Sequence, residues 1–248
     1  MSLDVNKNTK DKGIITAYLI LEIINFIAIM ILQVVQGTED IPLQLDVKYL
    51  AIVINTIVTL VFFIKYGIKQ KSWDNMLAIT IFATFVADYF MTLRSILIPG
   101  LALFFVVQIL ILIFLKPTIK SIFFRVILYL IIFGLSLIAL KPTVLIIAGL
   151  LYISLVFGNL IFSWVNYVKE KTAPNLMMAW GMTLFFGCDL SIVIRNLVTT
   201  GMIHTFVAFI VWVFYVPAQV LIVLSYIYRL RGRKMCEERR MAVSKTEK

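Results

Sequence analysis

Long apolar runs broken by short polar stretches recur from end to end of this chain. Runs long enough to cross a hydrocarbon core of roughly 30 Å fall at about 14–35, 47–68, 76–98, 100–116, 120–140, 143–167, 175–199 and 203–228. The fourth is the shortest. The pattern predicts an all-α protein: a single integral membrane domain over 1–248, a polytopic bundle of eight transmembrane helices with a basic tail over 229–248. No polar stretch between the runs is long enough to fold by itself. The first run carries Glu22 and Asn25 and lacks a small-residue cleavage site, so it reads as a spanning helix, not a cleaved signal.

Composition agrees with the pattern. With 62% hydrophobic and 15% charged residues and a mean hydropathy of +1.01, the chain has too little polar surface to cover a soluble core. The two cysteines, Cys188 and Cys236, cannot build a disulfide framework.

Charge then sets the orientation. With eight spans, nineteen of the 23 lysines and arginines fall on the side of the two termini, leaving only Lys48, Arg94, Lys141 and Arg195 opposite. Basic loops stay in the cytoplasm, so both termini are expected there. The net charge of +10 and the tail "RLRGRKMCEERRMAVSKTEK" are thereby explained by membrane orientation and contact with anionic headgroups. No nucleic-acid partner is expected.

Within the apolar runs, a few polar residues stand out. "ADYFMTLR" (87–94) and "CDLSIVIR" (188–195) each place an aspartate in a spanning helix and an arginine six residues later. A carboxylate at mid-membrane costs about 2.5–3.5 kcal/mol on insertion scales, so such residues face the bundle interior and have partners. In the third span, Thr80, Thr84, Asp88, Thr92 and Ser95 follow helical spacing and form one polar stripe. The first span offers Tyr18, Glu22 and Asn25 at the same spacing, and the seventh Thr183, Cys188, Asp189 and Asn196. Gln108, Asn159 and Gln219 complete a pocket expected between the first, third, fourth, seventh and eighth spans.

Six residues turn a helix by about 240° and advance it about 9 Å, so an aspartate and its following arginine do not share a face. Two arrangements remain open. Arg94 can reach Asp189 while Arg195 reaches Asp88, or both arginines can sit at the outer rim and receive a lipid phosphate. The aspartates themselves can be a functional carboxylate pair, a structural tie between helices, or an ion or proton site. Because the Asp-x5-Arg pattern occurs twice, each time followed by a span with one glutamine, two parallel halves, about 1–116 and 117–248, are expected.

Other chemistries fall away. His204, the single histidine, sits near the outer end of the last span, so a catalytic zinc is not expected. There is no Gly-rich phosphate loop and no G-x-S-x-G elbow. The middle of the last span holds no lysine for a retinal Schiff base. No cofactor is expected.

At the aspartates the sequence resembles the YhhN-type, lysoplasmalogenase-like integral membrane proteins. The likeness rests on "VADYFMTL" in the third span, "LFFGCDLSI" in the seventh and "FYVPAQVLIVLS" in the last, and it spans Met76 to Ser225. Three positions depart from the family pattern. Ala87 stands where glycine is common, Cys188 where serine is, and Gln108 where the family typically offers a histidine.

The resemblance implies an eight-span hydrolase that cleaves the vinyl ether bond of a lysophospholipid drawn from the bilayer and releases a fatty aldehyde. Asp88 and Asp189 would be its catalytic acid and base. Arg94 and Arg195 would position the phosphate, with Gln108, Gln219, Glu22, Asn25, Thr84 and Thr92 completing the substrate site. The setting would be a bacterial plasma or inner membrane. The alternatives are a proton or cation carrier that uses the same carboxylates, or a catalytically inactive lipid-binding relative.

Overall fold

The computed structural model describes residues 2–37, 41–68, 73–94, 96–116, 144–198 and 200–246, with scattered positions between 119 and 134. Every regular element among them is helical. We number the helices α1 (Ser2–Gln36), α2 (Pro42–Phe62), α3 (Asn75–Asp88), α4 (Leu97–Phe114), α5 (Val144–Glu170), α6 (Ala173–Leu197) and α7 (Met202–Thr246). With the π turns that follow α2 and α3 included, all seven are long and apolar enough to cross a membrane. That is seven described spans, not the eight expected; of the expected fifth, 120–140, only scattered positions are described.

Asn166, near the end of α5, donates to the carbonyl of Leu115 at the end of α4 (3.2 Å). The chain therefore leaves α4 at one end of the bundle and enters α5 at the other.

Local sequence explains the boundaries. Pro42 and Pro174 open α2 and α6, where a missing N–H costs nothing. Lys116 and Lys171, after α4 and α5, take positive φ of 49° and 47°, the left-handed conformation that ends helices. Two helices finish in a π turn, Phe63–Gly67 after α2 and Tyr89–Leu93 after α3. The second begins directly after Asp88. Such turns often mark functional positions in helices.

Each helix buries one stripe and offers the rest to lipid. On α1 the buried residues are Asp11, Ile15, Tyr18, Glu22, Asn25, Ile29 and Gln33, at spacings of three or four, while Ile20, Ile23, Ile27 and Ile31 are exposed. The closest pairing joins α6 to α7. A Cβ on Gly181 would stand 3.2 Å from the carbonyl oxygen of Ala218 and 2.9 Å from Ile222 Cγ1, so glycine is what allows the two backbones to approach.

Candidate functional site

Asp88 closes α3 and Asp189 lies two turns from the end of α6. Both are buried, and the two carboxyls lie close enough to interact electrostatically. Each has a tyrosine. The hydroxyl of Tyr215 on α7 donates to Asp88 Oδ2, and that of Tyr152 on α5 donates to Asp189 Oδ2 at 3.0 Å. A buried carboxyl in hydrocarbon needs donors, and the phenols supply them without adding a charge. Cys188 is fully buried beside both aspartates.

The surroundings of the two aspartates match. Asp88 has Tyr49, from the preceding helix α2, within reach of its field, and Tyr215 and Gln219 are one turn apart on α7. Asp189 has Tyr152 from its preceding helix α5, and Gln108 of α4 adjoins that tyrosine. Gln108 itself is completely buried and accepts from Asn159 Nδ2 through both Oε1 and its backbone carbonyl, at 2.9 Å each. The Nε2 atoms of Gln108 and Gln219 are buried with no hydrogen-bond partner among the described residues. The amide donor of Gln219 is thus left for a ligand or water, whereas that of Gln108 lies beside the Tyr152 hydroxyl.

The remaining expected site residues divide into groups. Thr84 and Thr92 are buried on the stripe that carries Asp88, Thr84 donating to the carbonyl of Thr80 (2.9 Å). Ser95 lies outside the described residues. Asn25 instead turns to α2, where its Nδ2 meets the carbonyl of Val47 (3.2 Å). Tyr18 also turns there, donating to Asn55 Oδ1 at 2.5 Å. Glu22, between them, is 3% exposed and neither of its carboxyl oxygens has a hydrogen-bond partner among the described residues. Asn196 is exposed and bonds its own helix.

The crossed arginine pairing does not form. Arg94 Nε donates to the hydroxyl of Tyr89 at 2.9 Å, and its guanidinium lies over that ring. Arg195 is half-buried in the last turn of α6. Among the described residues neither arginine pairs with an aspartate; the phenols take that place because they lie at the depth of the carboxyls, whereas the arginines lie six residues further out. Both arginines stand at the C-terminal ends of their helices, Arg94 directly after the π turn and Arg195 in the last turn of α6.

Sequence reasoning passed over Tyr152 and Tyr215. Both had a signal. Tyr215 precedes Gln219 by one helical turn, and Tyr152 precedes Asn159 by two, each on a polar stripe of its helix.

A helical bundle that spans a membrane and buries two neighbouring carboxyls, each held by a phenol, is an integral membrane protein with an intramembrane polar site. Its family follows from comparison: the YhhN family model matches residues 47–226, and the chain belongs to the YhhN family. No curated protein and no solved structure matches the chain.

Proposed function

We propose that this protein hydrolyses the vinyl ether bond of a lysoplasmalogen, with Asp88 and Asp189 as its acid and base. The observation that carries the reading is the pair of buried carboxyls, each oriented by a tyrosine, in a chain of the YhhN family.

The chemistry asks for little else. One carboxylic acid gives its proton to the β-carbon of the vinyl ether, and the oxygen lone pair moves in to form an oxocarbenium ion. The second carboxyl, as carboxylate, stabilises that cation and takes a proton from the water that attacks it. The resulting hemiacetal loses its glycerol oxygen as an alcohol and leaves a fatty aldehyde. The two carboxyls divide their labour as those of a glycosidase do. Both termini lie in the cytoplasm in this reading, and the substrate comes from the bilayer.

Arg94 and Arg195, at the outer ends of α3 and α6, position the phosphate. Gln219, whose amide donor has no partner among the described residues, and Gln108 orient the water or the leaving oxygen. Glu22 and Asn25 belong to the α1–α2 seam and serve the site from a distance.

The test is aldehyde release from a lysoplasmalogen by the purified protein in detergent, beside an ester-linked lysophospholipid of the same headgroup. Aldehyde from the vinyl ether alone, with no fatty acid from the ester, is the expected result. Uptake of protons or cations into proteoliposomes with no product from either lipid would support the carrier reading instead. Stabilisation by lysolipid without turnover would mark an inactive relative.

A further inference from the structure

The bundle is built differently on the two sides of the aspartate pair, and from this we infer that the site is reached only from the non-cytoplasmic side, by a lysolipid of that leaflet. The inference rests on the hydrolase reading for the identity of the lipid but not for the direction of access.

Depth comes first. Helix rise puts Asp189 about 24 Å from the start of α6 and about 12 Å from its end. Asp88 stands about 20 Å from the start of α3 and about 9 Å from Arg94. Both starts lie at the basic end of the bundle. The carboxyls therefore occupy the outer half.

Beneath them the described helices pack large apolar side chains. Leu77 and Ile81 on α3, Ile111 on α4, Met178 and Met182 on α6 and Ile227 on α7 are all 3% exposed or less. The polar side chains buried at this level among the described residues, Thr80 and Thr84 on α3 and Ser163 on α5, spend their hydroxyl protons on carbonyls of their own helices, so they offer a charged headgroup no free donor.

Below the apolar layer lies a floor of polar ties between helices. Lys65 and Tyr66, in the π turn after α2, both bond Asp11 of α1. Arg233 of α7 pairs with Asp74 before α3 at 2.6 Å. Arg229 bonds Asn175 of α6, and its guanidinium lies 5.0 Å from the ring centroid of Phe114 on α4. Asn175 in turn donates to Glu170 of α5 at 2.7 Å. All seven described helices are joined at this end.

The Asp-x5-Arg spacing fits a lipid entering head-outward. Arg195 sits about 9 Å of helix rise outward of Asp189. In an extended lysolipid, six bonds separate phosphorus from the vinyl ether carbon, about 8 Å at ordinary bond lengths. A phosphate at the outer arginines thus brings the vinyl ether to the aspartates, while its single chain stays in the outer leaflet. A lipid from the cytoplasmic leaflet would present its chain first and its phosphate to the basic floor.

Cysteine labelling tests the direction without relying on turnover. In sealed vesicles of known orientation, in a Cys188→Ser/Cys236→Ser background of the full chain, Thr92→Cys lies on the outer side of Asp88 and Thr80→Cys on the inner side. A membrane-impermeant thiol reagent is expected to label Thr92→Cys from the non-cytoplasmic face and to leave Thr80→Cys unlabelled from either face. Labelling of Thr80→Cys from the cytoplasmic face, or of Thr92→Cys from that face alone, would overturn the inference, as would protection of Thr92→Cys from both. A lack of aldehyde in the detergent assay would sink the hydrolase reading and leave the labelling result standing.

Discussion

Tyr215 donates its hydroxyl to Asp88 across 127 residues of sequence. That bond ties the last helix to the end of α3, and its counterpart, Tyr152 to Asp189, ties α5 to α6. The carboxyls are held by neutral donors, so a proton can be gained or lost at either without dismantling an ion pair.

Removing one phenol should therefore impair the chemistry more than the fold. A hydrogen bond to a charged group contributes about 1.5–3 kcal/mol, so Tyr152→Phe and Tyr215→Phe are each expected to lower kcat about ten- to hundredfold. The measurement is aldehyde release against a melting curve in detergent. Loss of the folded protein in both variants would make the tyrosines structural ties.

The rim arginines should act on binding. Neither pairs with an aspartate among the described residues, so Arg94→Gln and Arg195→Gln are expected to leave the melting temperature within a few degrees of wild type. KM for a phosphate-bearing lysolipid should rise about tenfold, as loss of about 1.4 kcal/mol of binding gives, with kcat little changed. Steady-state kinetics decides: a fall in kcat at unchanged KM would move the arginines out of the phosphate role.

Glu22 makes the opposite kind of prediction. A buried carboxyl without a hydrogen-bond partner weighs against stability by about 1–3 kcal/mol. Glu22→Leu, which keeps the volume and removes the polar atoms, is expected to raise the melting temperature. A lower melting temperature would mean that Glu22 is held by a partner, and the seam between α1 and α2 would need another description.

The close approach of α6 and α7 can be tested by one methyl group. Gly181→Ala puts a Cβ against the Ala218 carbonyl oxygen and Ile222. Overpacking of this kind typically costs about 1–3 kcal/mol. Thermal unfolding is expected to shift down accordingly, and an unchanged curve would show that the helices separate freely.

Much of this was legible in the sequence, for physical reasons. Hydrocarbon length fixes the size of a spanning run, so the ends of α4 and α6 were readable within a few residues. Buried polar groups in a membrane are costly enough that Asp88, Asp189 and Gln108 announced themselves. Partner choice was harder to read. Charge suggested that arginine would meet aspartate, yet a guanidinium six residues away stays at the rim, and a phenol at the right depth does the work with no second charge to desolvate. The π turn after Asp88 had no sequence mark. The division of the polar residues into an aspartate cluster and an α1–α2 seam depended on which faces of α1 and α2 meet, and helical spacing within one strand of sequence does not encode that.

The central claim is that Asp88 and Asp189 carry the reaction together. The most direct measurement is the rate of aldehyde release by Asp88→Asn and Asp189→Asn, each purified beside the wild type and checked for an unaltered melting curve. Each amide keeps the shape and a hydrogen-bond acceptor for its tyrosine but can neither give nor take the proton. Wild-type turnover with loss of aldehyde release in both folded variants is the predicted result. A folded variant that still releases aldehyde at the wild-type rate would contradict the account.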